Sequence, residues 1–406
     1  MTAAVLSNSA REKVMTPVWF DQSLVLMTMT LIAIGFIMVS SASMPYADSA
    51  TYQYNPYHFV IRHAVYICMA LMAATVTLMI PMSLWEKAGP YLLVSAILLL
   101  ILVLLVGKEV NGSKRWLDLG LFTIQASELA KLFVVSYLAG YLVRRREELI
   151  TQIKGFVKPL VVLGLVTLTL LMEPDFGASV VIMTTSLAMM FLAGARLWQF
   201  LVLSGMVGLI LAGLAMSQSY RWQRLQTFLD PWQDPFGTGY QLTQSLIAFG
   251  RGDLWGLGLG QSIQKLSYLP EAHTDFVFAV LAEELGFVGV AAVLIIFAAL
   301  LVRIMQIGRN AVQMGQLFSG YMAWGLGITL TLQAVINIGV NSGVLPTKGL
   351  TLPLISYGGN SLIMCCVAIA VILRVDYETR LAQYREHGLI PQVRKPKSRK
   401  TGRSAS

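Results

Sequence analysis

The sequence predicts an all-α polytopic membrane protein of about ten transmembrane helices. Of its 406 residues, 56% are hydrophobic and only 13% are charged, and the mean hydropathy is +0.67. Soluble domains usually carry about 25% charged residues, so this chain has about half of that charge. A spanning helix needs roughly 20 mostly apolar residues, and ten stretches of the chain approach or exceed this length.

The ten predicted spans form one membrane domain over residues 23–374, between a tail at 1–22 and a basic tail at 375–406. They run over residues 23–43, 59–80, 91–107, 126–143, 159–172, 176–193, 198–217, 276–302, 316–340 and 359–373. The first apolar run is longer than the core of a signal peptide, which argues against cleavage. The fourth and fifth spans are short and closely flanked by charge.

The distribution of basic residues predicts the orientation. If the N-terminus is cytoplasmic, the inner connections and the C-terminal tail hold most of the lysines and arginines outside the spans. The short outer connections hold only Lys108, Lys114, Arg115 and Lys348. This asymmetry follows the positive-inside rule. Because ten spans is an even number, we expect both termini in the cytoplasm.

One connection, residues 218–275, is far longer than the others and lies on the predicted outer side. Loops of more than about 15 residues in a compact protein are usually functional. Ionisable residues within spans are costly, and here they cluster in the outer halves. They are Arg62, His63, Glu128, Lys131, Glu283 and Glu284. This pattern favours an outward-facing polar cavity, although Glu128 and Lys131 have the i,i+3 spacing of an ion pair.

Asp275 is the last residue before the eighth predicted span, where the long loop meets the membrane. Aspartate at a helix start is often only an N-cap, and the residue type alone favours that interpretation. The alternative is a general base at headgroup depth, acting on a hydroxyl group of a lipid-linked substrate.

Several kinds of chemistry have no support in the sequence. The chain has no phosphate-binding loop of the Walker type, so no nucleotide cofactor is expected. The four histidines lack the spacing of metal ligands, and each is more simply explained as a lone polar residue.

Residues 21–380 resemble the SEDS family (shape, elongation, division and sporulation). The matching motifs include GSKRWLD at 112–118, QASELAK at 125–131, EPDFG at 173–177, PWQDPFGTGYQ at 231–241, LPEAHTDF at 269–276, PTKGL at 346–350 and LPLISYGG at 352–359. Asn360 stands where many relatives have serine. The first 20 or so residues match no pattern of the family.

The resemblance implies a glycosyltransferase that polymerises lipid II into peptidoglycan during septal synthesis in the bacterial inner membrane. It also implies that Asp275 is the catalytic residue. We expect substrate binding by outer-face residues, namely Arg62, Lys114, Arg115, Lys131, Glu173, Asp175, His273 and Lys348. A divalent cation, Mg²⁺ or Mn²⁺, is a candidate cofactor. The implied partners are a class B penicillin-binding transpeptidase of the FtsI type and membrane proteins of the FtsQ, FtsL and FtsB types.

Three other functions compete with this prediction. A lipid II flippase needs polar residues through the full depth of the bundle, and the inner halves of the predicted spans lack them. A scaffold that only recruits partners leaves the outer charges unexplained. The elongation-specific polymerase of the same family differs least, and the 268–273 run and the basic tail favour the division branch over it.

Overall fold

A computed structural model describes residues 20–386, apart from short gaps at 49–51, 53, 111–112, 119, 121–122, 267 and 347–348 and most of 197–227. The described helices are α1 (Gln22–Ala47), α2 (His58–Met79), α3 (Met82–Val106), α4 (Ala126–Arg144), α5 (Arg146–Thr151), α6 (Ile153–Met172), α7 (Phe176–Leu192), α8 (Tyr240–Gly252), α9 (Val277–Gln313), α10 (Leu317–Asn341) and α11 (Gly359–Glu386). The described strands are β1 (Lys108–Val110), β2 (Ser113–Asp118) and β3 (Thr123–Gln125).

Eight of the described helices are long and apolar enough to cross a membrane: α1, α2, α3, α4, α6, α9, α10 and α11. Helix α7 is apolar but shorter, with 17 residues. These nine helices match nine of the ten predicted spans. The seventh predicted span, 198–217, lies mostly outside the described residues. The prediction of an all-α polytopic membrane protein is therefore confirmed.

Helices α9 and α11 are longer than the sequence predicts. Helix α9 continues to Gln313 and α11 to Glu386, whereas the predicted spans end at 302 and 373. The added turns of α11 carry two i,i+4 ion pairs, Arg374–Glu378 and Arg380–Asp376, each at 2.8 Å. Such pairs stabilise helices in water. Apolar length predicts only the membrane-embedded part of a helix, so it misses these polar turns.

The connection between α3 and α4 forms a small antiparallel sheet in the order β1-β2-β3. Strand β2 is the central strand, and its Trp116 pairs with both Lys108 of β1 and Gln125 of β3. Strand β3 leads directly into α4. The sheet therefore fixes the segment that carries Lys114 and Arg115, and the hydropathy-based prediction missed it.

A cluster of charges joins the first and last described helices at one end of the bundle. Asp21 caps α1 by accepting a 2.8 Å hydrogen bond from the Leu24 amide. The same carboxylate is paired with Arg303 of α9 and with Arg380 of α11. A buried carboxylate requires such partners to offset its lost hydration. The cluster marks the end of the bundle opposite to Asp275.

Candidate active site

Asp275 lies at the end of the long loop, two residues before α9 begins. Phe276 is the N-cap of α9, so Asp275 lies one residue outside the cap position. The backbone carbonyl of Asp275 accepts hydrogen bonds from the side-chain amides of Asn337 (2.8 Å) and Asn341 (2.9 Å). Both asparagines are on α10, one helical turn apart, and they hold the loop end at a fixed position against the bundle.

The carboxylate of Asp275 lies against the backbone at Gly349. A Cβ atom at position 349 would be 2.9 Å from Oδ2 of Asp275, closer than real Cβ contacts. Asn337 also donates a 2.6 Å hydrogen bond to the carbonyl of Leu350, so one amide holds both segments together. Lys348, a predicted binding residue, lies outside the described residues.

His273 is packed inside a cluster of aromatic rings. Its ring centroid is 4.7 Å from that of Phe59, 5.4 Å from Tyr46 and 5.5 Å from Tyr357. Its carbonyl accepts a 3.0 Å hydrogen bond from the Tyr357 amide. Burial lowers the pKa of His273 below its ordinary value, which favours a neutral ring. These contacts indicate that His273 positions the loop that ends at Asp275.

Arg62 and Arg115 approach the same end of the bundle from different elements. Arg62 is exposed on α2 and lies close enough to interact with the hydroxyl of Tyr357. Arg115 on β2 donates from Nη2 to the carbonyl of Pro174 and from Nε to that of Glu173, the latter at 3.4 Å. Lys114 is exposed beside it. All three therefore retain cationic groups at or near the surface at this end.

The turn between α6 and α7 carries two carboxylates with different environments. Asp175 caps α7 by accepting a 3.1 Å hydrogen bond from the Ala178 amide. Glu173 is buried, and neither of its carboxylate oxygens has a hydrogen-bond partner in the described part of the chain. Burial, assisted by the charge of Asp175, raises the pKa of Glu173 to about 8. Glu173 is therefore mostly protonated at neutral pH.

We expect Glu173→Gln to stabilise the protein at pH 8 and to have little effect at pH 4. The ordinary pKa of this carboxyl group is 4.5, against about 8 in the fold. As pH rises between these values, the unfolded chain loses the proton while the folded chain retains it, so folding becomes progressively less favourable. Glutamine removes this penalty. Thermal unfolding of both forms in detergent across this pH range would test the prediction, and parallel curves would contradict it.

Glu128 and Lys131 form an ion pair inside the bundle, with 2.9 Å between Nζ and Oε1. Both side chains are buried, and they line a cavity of about 20 Å³ together with Thr329 and Gln333. A cavity of this size has room for about one water molecule. Gln333 lies one helical turn from Asn337, so the pair is located about one turn deeper than the Asp275 carbonyl. Lys131 would have to leave Glu128 to bind a substrate group.

Glu283 and Glu284 hold the long loop and do not line an open cavity. Glu283 is paired with Arg251, at the end of α8, at 3.0 Å. Glu284 is paired with Lys265 at 2.8 Å. Both glutamates are fully buried. The sequence predicted that both glutamates belong to one outward-facing polar cavity. The structure differs, because each carboxylate attaches a segment of the long loop to α9.

Comparisons with known proteins all identify the same family. A family model described as a cell cycle protein and covering FtsW, RodA and SpoVE matches residues 21–381. A protein of Alteromonas naphthalenivorans named probable peptidoglycan glycosyltransferase FtsW is 55% identical over 89% of this chain and 70% of its own length. A protein of the same name from Escherichia coli O157:H7 is 50% identical over 90% of this chain and 87% of its own.

Solved structures share the fold. One, described as the structural coordination of polymerization and crosslinking by a peptidoglycan synthase complex, has a chain that aligns with a TM-score of 0.73 at 28% identity. The alignment covers 89% of this chain and 98% of that one. The rod shape determining protein RodA of Thermus thermophilus aligns with a TM-score of 0.65 at 28% identity, over 88% of this chain and 96% of its own.

Proposed function

The chain belongs to the FtsW, RodA and SpoVE family of cell cycle proteins, and from this premise we propose how its site works. It is a peptidoglycan glycosyltransferase of the FtsW type, similar at 50–55% identity to relatives of that name and at 28% to RodA. We propose that it polymerises lipid II into glycan strands with Asp275 as the general base. The observation that carries this assignment is the Asp275 segment, which α10 holds at the end of the bundle beside Gly349.

The proposed reaction is a single inverting displacement. The GlcNAc 4-hydroxyl of the acceptor attacks the anomeric carbon of the donor MurNAc, and Asp275 takes the hydroxyl proton. The new C–O bond forms as the bond to the pyrophosphate breaks, and undecaprenyl pyrophosphate leaves with the electron pair. Because the donor is α-linked and the product is β-linked, one base is sufficient and no covalent enzyme intermediate is needed.

The leaving pyrophosphate needs neutralising charge, and cations at or near the surface of this end of the bundle supply it in this proposal. Arg62, Lys114 and Arg115 are the candidates whose positions are described, and Lys348 is adjacent in sequence to Gly349. Lys131 also belongs to the proposed set, but its ion pair with Glu128 gives it a competing structural role.

Replacing Arg115 with alanine should raise the KM for lipid II about tenfold. One hydrogen bond to a charged group contributes roughly 1.5 kcal/mol, which corresponds to that factor. The measurement is polymerisation of labelled lipid II at limiting substrate. Arg115→Lys separates charge from geometry, because lysine retains the charge but loses the paired contacts to the 173–174 turn. Arg146→Ala, an exposed arginine on α5, is the matched control. A parental KM for Arg115→Ala would remove this residue from the site.

A divalent cation remains a candidate cofactor through the pyrophosphate, which such ions commonly bind. A protein-held metal site is not supported by the described residues, since they bring together no group of three carboxylate, imidazole or thiolate ligands. When bound, Mg²⁺ or Mn²⁺ would neutralise charge on the leaving group. No step above depends on it.

The proposed orientation places Asp275 on the outer face of the bacterial inner membrane, with both termini cytoplasmic. A reporter inserted after Gly237 should therefore report a periplasmic location, and one inserted after Glu148 a cytoplasmic location. The physical reason is the excess of lysine and arginine on the inner side. The opposite pair of results would put Asp275 on the wrong side for lipid II that has already crossed the membrane.

We propose that the enzyme works at the division septum beside a class B penicillin-binding transpeptidase of the FtsI type. The similarity to a synthase complex that coordinates polymerization with crosslinking supports such a partner. Contacts with membrane proteins of the FtsQ, FtsL and FtsB types belong to the same proposal. The flippase, scaffold and elongation-specific alternatives are not favoured, because the relatives with 50–55% identity are named FtsW glycosyltransferases.

A further inference from the structure

Residues 251–268, called the strap below, have their polarity reversed relative to an ordinary outer loop. The exposed side chains of the strap are mostly large and apolar, and Trp255 is 79% exposed. They are Leu254, Trp255, Leu257, Leu259, Ile263, Leu266 and Tyr268. Between Leu254 and Tyr268 the only charged residue is Lys265, and it is buried. A loop that faced water would have the opposite arrangement.

The buried polar residues of the strap are Ser262, Gln264 and Lys265, and the two adjacent glutamates of α9 bind this segment. Its exposed polar residues are Arg251, Asp253 and Gln261. Glu283 accepts hydrogen bonds from the Ser262 hydroxyl and from the backbone amides of Ile263 (3.2 Å) and Gln264 (3.3 Å), in addition to its Arg251 pair. Glu284 binds Lys265 and also accepts a 2.7 Å hydrogen bond from Ser41 of α1. The strap is therefore attached to α9 through these polar groups, and no other described part of the chain covers its large apolar side chains.

The backbone of the strap is also joined to α9. The amides of Leu257 and Gly258 donate to the carbonyls of Glu283 and Glu284, both at 3.0 Å. Gly286 has φ +64°, and a Cβ atom there would be 2.3 Å from the amide nitrogen of Gly256. Only glycine allows so close an approach at that conformation. The strap consequently has a fixed depth along α9.

That depth corresponds to the outer edge of the membrane. Arg303, in the charge cluster with Asp21 at the opposite end of the bundle, is 17 residues from Gly286 along α9. At 1.5 Å per residue this separation is about 26 Å. The hydrocarbon core of a bilayer is about 30 Å thick. The Gly256–Gly286 contact therefore lies close to the boundary between acyl chains and headgroups when Arg303 lies at the inner boundary.

We propose that the strap is an interfacial membrane anchor whose exposed apolar side chains contact the outer leaflet. Its apolar surface adjoins Phe287 and Val288, which are exposed on α9 immediately beyond Gly286. Tryptophan and tyrosine are enriched at this depth in membrane proteins, which fits Trp255 and Tyr268. The strap leads directly into the segment that ends at Asp275, so anchoring it fixes the height of the proposed base above the lipid. That consequence rests on the proposed function, whereas membrane contact does not.

Depth-dependent quenching tests membrane contact without measuring activity. In a Cys68→Ser background, where Cys365 and Cys366 are buried, a fluorophore is attached at Leu259→Cys or at Glu271→Cys. The full chain is reconstituted into phosphatidylethanolamine and phosphatidylglycerol vesicles. We expect nitroxide-labelled lipids to quench the label at 259 several-fold more than the label at 271, and aqueous iodide to give the reverse order.

Equal access of iodide to both labels in vesicles that contain the chain alone would overturn the proposal. Shielding at 259 that occurs only when a class B transpeptidase is present would also overturn it, because the strap would then be a protein-binding surface. As a functional arm, Leu259→Lys should lower lipid II polymerisation in vesicles several-fold. Gln233→Lys, at an exposed position of the outer loop outside the strap, should not. If the parent does not polymerise lipid II, the proposed function fails while the quenching result still stands.

Discussion

Asp275→Asn is expected to reduce the rate of glycan polymerisation by about 10²–10⁴-fold, which is the usual contribution of a general base. Asparagine has nearly the same shape as aspartate but cannot take the proton of the acceptor hydroxyl. The bonds from Asn337 and Asn341 go to the backbone carbonyl, so the substitution leaves them intact. Expression, thermal stability and transpeptidase binding should therefore remain close to those of the parent.

The matched control is Glu271→Gln, which neutralises an exposed carboxylate four residues earlier in the same loop. We expect this variant to polymerise lipid II like the parent. If Asp275 only supported the start of α9, its replacement would cost about 1 kcal/mol of stability and activity would persist. Near-parental product from Asp275→Asn in the purified complex would exclude the proposed role.

The second large effect is on stability and concerns the ion pair inside the bundle. Lys131→Met should destabilise the protein by about 3–5 kcal/mol, because it leaves the buried Glu128 carboxylate without its cation. The double variant Glu128→Gln with Lys131→Met should recover most of that loss, since neither remaining group is charged. Thermal unfolding in detergent is the measurement, and a Lys131→Met variant as stable as the parent would contradict the prediction.

Polymerisation by the same variants separates two roles of Lys131. A folded double variant that regains activity would assign the lysine to the ion pair alone. A folded double variant that stays inactive would mean that Lys131 also contributes to pyrophosphate binding. Lys131 is buried, whereas Lys114 and Arg62, two other predicted binding residues, are exposed.

The spans were predictable because lipid imposes a simple rule. A chain inside a bilayer must satisfy its backbone hydrogen bonds internally, so long apolar stretches become helices. The polar ends of α9 and α11 were not predictable from hydropathy, because charged turns such as the one with Arg374 and Glu378 do not differ in composition from a polar tail. The hairpin of β1 and β2 did carry a signal, since Asn111-Gly112 lies between the two strands and is a strong hairpin sequence.

The centre of the candidate site was predictable and much of its support was not. Asp275 was identifiable from its place at the loop–span junction and from the resemblance of its motif. Asn337 and Asn341 carried a weaker signal, two amides with i,i+4 spacing at the outer end of an apolar span, which ionisable residues alone do not reveal. The approach of Gly349 to the carboxylate depends on a contact between segments far apart in sequence. Periodicity within one segment has no information about such contacts.

The most direct test of the central claim is polymerisation of fluorescent lipid II by the purified chain together with the proposed transpeptidase partner, with the transpeptidase inactivated by penicillin. The account predicts a ladder of uncrosslinked glycan strands that a β-1,4-specific muramidase digests completely and that is missing with Asp275→Asn. If the parent complex produces no ladder and instead carries lipid II across the vesicle membrane, the account is contradicted and the protein is assigned to transport.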